Sequence, residues 1–247
     1  NLTIYNANRS AKKQIHDLER FIADKVDVII VSPFESDSIV PVIEKAREKG
    51  IPVIMVDRKA NTPNYTAFLG ADNIEVGRLA GKHIASISSG HATVVEIDAD
   101  LKTSPGLERS MGFQQIVKQF PGIKVIITDS DDFGNPKSTF SKLLDSLPNI
   151  DYVYSFNDLI AYNAWKIAKS KGLENKIKFI GVDGLNGPFG GIQLVQDGIL
   201  ESTILYPTGG SEAVKLAMKI ANKEIVPKNN KLSTILINTL NADIMTN

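Results

Sequence analysis

Short runs rich in β-branched residues recur along this chain, and each is followed by a segment of helical period. The runs are VDVIIVSP (26–33), IPVIMVD (51–57), HATVVEID (91–98), IKVIITD (123–129), IDYVYSF (150–156) and IKFIGVD (177–183). They are apolar on both alternations, as strands covered on two faces must be. Between them, KKQIHDLERFIADK (12–25) sets Ile15, Leu18, Phe21 and Ile22 on one stripe with charges opposite. SIVPVIEKAREKG (38–50) ends in a basic turn and Gly50, as helices commonly do. Further helices are predicted over 73–88, 105–119, 136–146, 158–171 and 209–222. Strand, helix, strand, helix is the sequence form of right-handed βαβ units and a parallel sheet. A chain of 247 residues would make one very large sheet or two smaller ones, and two are expected. No Pro/Gly/Ser linker divides them, so the boundary must be a set of short crossings, which makes a hinge of limited freedom.

Composition removes several function classes. Lysine plus arginine total 28 and aspartate plus glutamate total 28, a zero formal charge that argues against a dedicated nucleic-acid surface. The absence of cysteine excludes disulfide scaffolds, zinc-thiolate sites and thiol nucleophiles, and fits an exported bacterial protein. His16, His83 and His91 match no metal-ligand spacing, so neither a metal nor another cofactor is expected. No apolar run is long enough to cross a bilayer, and NLTIYNANRS is not a signal peptide. A removed leader, or a start inside a domain, is the expectation that follows.

In open parallel α/β sheets ligands lie beyond the carboxyl ends of the strands. Asp57 closes the second run and Arg58 follows it, and Glu96, Asp98 and Asp100 come near the end of the third, ahead of a helix carrying Arg109. Asn157 and Asp158 follow 150–156, Asp183 and Gly184 close 177–183, and Tyr206 closes ESTILY (201–206). Asp57, Arg58, Arg109, Asn157 and Asp183 suit a neutral polyol, because carboxylates accept from hydroxyls while guanidinium and amide groups donate. Asp158 is read as the N-cap of the next helix. Phe133 in the loop DSDDFGN and Tyr206 at a strand end could cover the C–H face of a sugar, whereas Trp165 falls on a helix interior and reads as core.

Catalytic readings fare poorly. Neither GxGxxG after a strand nor GxxxxGK[ST] occurs, and GLNGPFGG (184–191) lacks the lysine of a phosphate loop. There is no GxSxG elbow, and nothing marks a member of the pairs Asp98/Asp100 or Asp131/Asp132 as held protonated. Binding without chemistry is expected, so the domain is not read as an enzyme.

Taken in order, KKQIHDLERFIADKVDVIIVSP, IPVIMVDR, GADNIEVGRLAG, ERSMGF, YSFNDLIAYNA, FIGVDG and DGILESTILYP resemble the type I periplasmic sugar-binding proteins. These are the ribose- and galactose-binding group, which shares its fold with the effector domains of LacI-type repressors. The resemblance implies that Asp57, Arg58, Arg109, Asn157 and Asp183 hold sugar hydroxyls. It implies two Rossmann-like lobes joined by three crossings: residues 1–98 plus 207–230, and residues 99–206 plus 231–247. It also implies that the family's first strand and helix are missing here, and Tyr206 in place of a common glutamine means that the sugar need not be ribose. GGIQLVQDGILESTILYPTGG is similar to the periplasmic sensor domains of hybrid two-component systems from Bacteroidetes-type bacteria, one type of which binds fructose. The expected function is monosaccharide sensing in the periplasm by hinge closure, signalled to a histidine kinase. The alternatives are a solute-binding protein serving a membrane permease and a repressor effector domain. A homodimer is compatible with all of them.

Overall fold

The structure, a computed structural model, describes residues 1–98, 104–130, 135–136, 138–147 and 149–246. The chain divides into two compact units: Asn1–Ala71 with Lys102–Pro105 and Thr208–Leu232, and Asp72–Leu101 with Gly106–Pro207 and Ser233–Asn247.

The first unit is built on α1 (Ala11–Ala23), β1 (Ile29–Val31), α2 (Val40–Glu48), β2 (Val53–Val56) and β3 (Ala67–Ala71), with α8 (Gly210–Ala221) and β9 (Asn229–Leu232) returning from late in the chain. Its strands pair in the order β1-β2-β3-β9, all parallel. Ser10 starts α1 by accepting the Lys13 N–H at 3.1 Å, one of the donors a helix start leaves without a partner. Strand side chains then alternate between faces. Val53 and Met55 join Leu18, Ile22 and Ile43 beneath α1 and α2, while Ile54 and Leu69 join Ala213 and Leu216 of α8. Each such Val, Leu, Ile or Met side chain, fully buried, stabilises the unit by about 1.5–3 kcal/mol.

The second unit holds α3 (Asn73–Ile87), β4 (His91–Asp98), α4 (Ser104–Val117) from Gly106 onward, β5 (Gly122–Asp129), α5 (Ser138–Ser146), β6 (Tyr152–Ser155), α6 (Asp158–Ser170), β7 (Lys178–Asp183), α7 (Gly191–Gln196), β8 (Ser202–Leu205) and β10 (Leu236–Asn238). The strand order is β10-β8-β7-β6-β4-β5, parallel except for the antiparallel β10–β8 pair. Phe140, Val153, Ile160, Ala164, Phe179 and Leu194 fill its core, and Trp165 packs against it partly buried. Helices α3 and α4 meet closely at glycines. A Cβ on Gly77 would strike the Arg109 carbonyl, and one on Gly112 the Ile74 carbonyl. That approach brings the first turn of α3 beside Arg109.

The sequence reading carries the first lobe to residue 98. The structure instead starts the second unit at Asp72, because β4 hydrogen-bonds between β5 and β6 and α3 packs on α4. The later passages, at 207–208 and 232–233, lie within two residues of the expected ones. Three strands escaped the pattern search. AFLGA of β3 has no β-branched residue, NNKL of β9 is mostly polar, and β10 has only three residues.

Candidate ligand-binding site

The carboxyl ends of β6, β7 and β8 converge with α3 and α4 around one buried cation. Arg109, on α4, is 4% exposed. Its Nε donates to Asn73 Oδ1 at 2.9 Å, and its Nη1 donates to the Phe156 carbonyl at 2.7 Å. Asp183 Oδ1 lies 3.9 Å from Nη1. The guanidinium carbon also sits 4.5 Å from the centre of the Phe156 ring and 4.8 Å from that of Tyr206. Planar cations are stabilised by such ring faces, and more so away from water. The two hydrogen bonds use two of the five guanidinium donors, so an oriented cation still has donors to present to hydroxyl oxygens.

Asp183 closes β7 with φ +123°, a conformation rarely adopted by a residue with a Cβ. Its carbonyl accepts the Tyr206 N–H at 2.9 Å, which ties the ends of β7 and β8 together. Its carboxylate is 38% exposed, unlike the guanidinium it faces. Asn157 is the N-cap of α6, its Oδ1 accepting the Ile160 N–H at 2.8 Å. Only its amide nitrogen is left as a donor toward a ligand. The expectation that Asp158 caps this helix is therefore corrected: Asn157 has the extended backbone that a cap requires, and Asp158 is the first helical residue.

Asp158 lies behind this cluster. Its carboxylate is buried, accepting from the Thr203 hydroxyl at 2.6 Å and from the Gly184 N–H at 2.8 Å. Burial pushes its pKa up to about 7, and the Asp183 charge adds to the rise. The bonds from Thr203 and Gly184 and the charge of Arg109 pull the other way. Gly181 and Gly191 make room for the carboxylate, since a Cβ on either would collide with it.

Asp57 and Arg58 belong to the first unit. They follow β2, with Asp57 at φ +65° and its N–H donating to the Leu69 carbonyl at 3.0 Å. Arg58 Nε lies 3.7 Å from Asp57 Oδ2, and Arg58 Nη1 donates to the Phe34 carbonyl at 3.4 Å. Of the residues read from the sequence, Arg109, Asp183 and Tyr206 thus form one cluster with Asn157 beside it, and Asp57 and Arg58 form a pair. Phe133 lies outside the described residues. Asn73, Phe156 and Thr203 were not singled out. Asn73 sits in the quoted GADNIEVGRLAG segment, but nothing in its spacing marks a partner for Arg109. Among the described residues no group of three or more acidic or histidine side chains could hold a metal ion.

Two α/β units, each with a largely parallel sheet and an aspartate at positive φ where a strand ends, define an α/β protein of two units. The comparisons narrow this. The periplasmic binding protein domain matches residues 1–225, and the chain belongs to that family. It is similar to the ribose import binding protein RbsB of Salmonella typhimurium, 27% identical over 230 residues that cover 92% of this chain and 76% of that protein. It is 30% identical over 200 residues to the galactofuranose-binding protein YtfQ of Escherichia coli, covering 77% of this chain and 61% of that one. Among solved structures, the fructose binding periplasmic domain of hybrid two component system BT1754 superposes with a TM-score of 0.94 at 37% identity, covering all of this chain and 83% of that one. The fold is that of the type I periplasmic sugar-binding proteins, and the relatives are binding proteins rather than enzymes. No helix among the described residues is long and apolar enough to cross a membrane.

Proposed function

We propose that this chain is a periplasmic receptor module for a neutral monosaccharide, fructose being the first candidate. The observation that carries the reading is the buried Arg109, oriented by Asn73 and the Phe156 carbonyl and faced by Asp183 and Tyr206. Such a site presents oriented donors and an acceptor to hydroxyl groups without a net charge that would select an ion. In this reading Arg109, Asp183, the Asn157 amide and the Tyr206 ring contact the sugar, and Asp57 and Arg58 are further candidate contacts. Phe133 is proposed as a further ring from the sequence alone. Binding favours the closed hinge only to the extent that the sugar has higher affinity for it. The likeness to a fructose-binding sensor domain supports a role in signalling to a histidine kinase. A second reading, delivery of the sugar to a membrane permease, is supported by the ribose import relatives. Isothermal titration of the 247-residue chain with fructose, ribose, galactose and allose tests the proposal. Saturable one-to-one binding of one of them is expected, and absence of heat across the set overturns it.

A further inference from the structure

Asp158 sits behind the cluster and takes no direct part in it. Its two carboxylate oxygens serve two different elements. Oδ2 accepts from the main-chain N–H of Gly184, in the turn after β7, and Oδ1 accepts from the hydroxyl of Thr203 on β8. The turn it grips is unusual, because Asp183 and Gly184 follow one another at φ +123° and φ +59°. A residue with a Cβ holds such a conformation only where its surroundings over-determine it. On one side, the Asp183 carbonyl takes the Tyr206 N–H; on the other, Asp158 takes the Gly184 N–H. Glycines 181 and 191 leave the Asp158 carboxylate the space to do so, and a side chain at either would displace it.

We propose that Asp158 is a positioning residue for sugar recognition, holding the Asp183–Gly184 turn so that the Asp183 carboxylate stays at the Arg109 guanidinium. The inference rests on the reading that Asp183 and Arg109 contact the sugar, but its mechanical half does not need a sugar. A carboxyl anchored at both oxygens on one side of the turn fixes where the aspartate on the other side points. Charge is not essential to the grip. An asparagine at 158 can still accept from Gly184 through its oxygen and donate to the Thr203 hydroxyl through its nitrogen.

The experiment compares the wild-type chain with D158N, D158A, T203V, T203S and the core variant L144A, in two measurements. Amide hydrogen exchange at Gly184 is read without sugar, and fructose affinity is read by titration calorimetry. Gly184 exchange is expected to be slow in wild type and D158N and at least about tenfold faster in D158A. Fructose affinity is expected to fall at least about tenfold in D158A and several-fold in T203V, with D158N and T203S restored to within about threefold of wild type. L144A, which loses core packing in the same unit, should lose stability but keep its affinity. Equal Gly184 exchange in wild type and D158A overturns the proposal whether or not any sugar binds. Should D158A fail to fold, T203V decides: wild-type affinity in that variant overturns the assignment. Absence of fructose binding in wild type, with the exchange difference intact, counts against the sugar reading and leaves Asp158 as the anchor of the turn.

Discussion

Each unit brings an aspartate beside an arginine, in opposite physical settings. In the first, Asp57 and Arg58 are neighbours in sequence, about a third exposed, and their closest charged atoms are 3.7 Å apart. In the second, Asp183 and Arg109 come from β7 and α4, and the guanidinium is almost wholly buried between two rings and two acceptors. A water-exposed pair is adaptable and contributes little by itself. A buried cation with fixed partners is rigid, and costly to remove. The difference makes the second pair a fixed, stabilising element and the first a loosely held surface pair.

The largest expected effect breaks this contrast at its strongest point. Arg109→Ala should abolish fructose binding over any accessible concentration range. It should also destabilise the chain by about 3 kcal/mol, since the Asn73 oxygen and the Phe156 carbonyl lose their donor. Arg58→Ala should change stability by less than about 0.5 kcal/mol and weaken binding about tenfold. Urea unfolding and calorimetry on both variants check this, and equal losses would erase the distinction.

A second test locates an element sensitive to rising pH in the second unit. Burial raises the Asp158 pKa to about 7, so the native chain holds this proton more tightly than the unfolded chain, whose aspartates titrate near 3.9. The stability so gained is fully present below about pH 4 and is lost as the pH rises through about 7, a change of up to about 4 kcal/mol. Unfolding free energies between pH 4 and 8 should show this decline in wild type, and D158N should remove it. A slope that survives in D158N would place its origin elsewhere.

The smallest effect sharpens the comparison at the backbone. Glycine at 183 should relieve the φ +123° strain and stabilise the chain by about 1 kcal/mol, and glycine at 57, where φ is +65°, by about half as much. Both should weaken sugar binding, because both remove an acceptor. Thermal melts with and without fructose separate the two outcomes, and a loss of stability in both variants would contradict strain at these turns.

The sequence makes some of these features legible and hides others for physical reasons. Strands such as VDVIIVSP and IKFIGVD carry their burial on both faces in their composition, so the parallel architecture could be read directly. Asp183 and Tyr206 stand out in the sequence because they close strands, where such folds put ligands, and Arg109 because it lies on the helix that follows one. The lobe boundary could not be read. β4 looks like any other buried strand, and its partners β5 and β6 are a matter of pairing rather than of pattern. Asp158 was misread for a related reason. Asn and Asp in succession both suit a cap, and only the extended backbone at Asn157 assigns the role to one and frees the other for Gly184 and Thr203.

The last strand has a consequence for handling the molecule. β10 runs against β8, with Ile237 opposite Thr203, so shortening the chain to end before Ser233 would strip the ladder from Ser202–Ile204. The bared rim would then lie on the strand that anchors Asp158, open to any extended peptide of matching register. An affinity tag or a cleavage site placed there would disturb the Thr203–Asp158 contact, some thirty residues upstream of the cut, while touching neither residue.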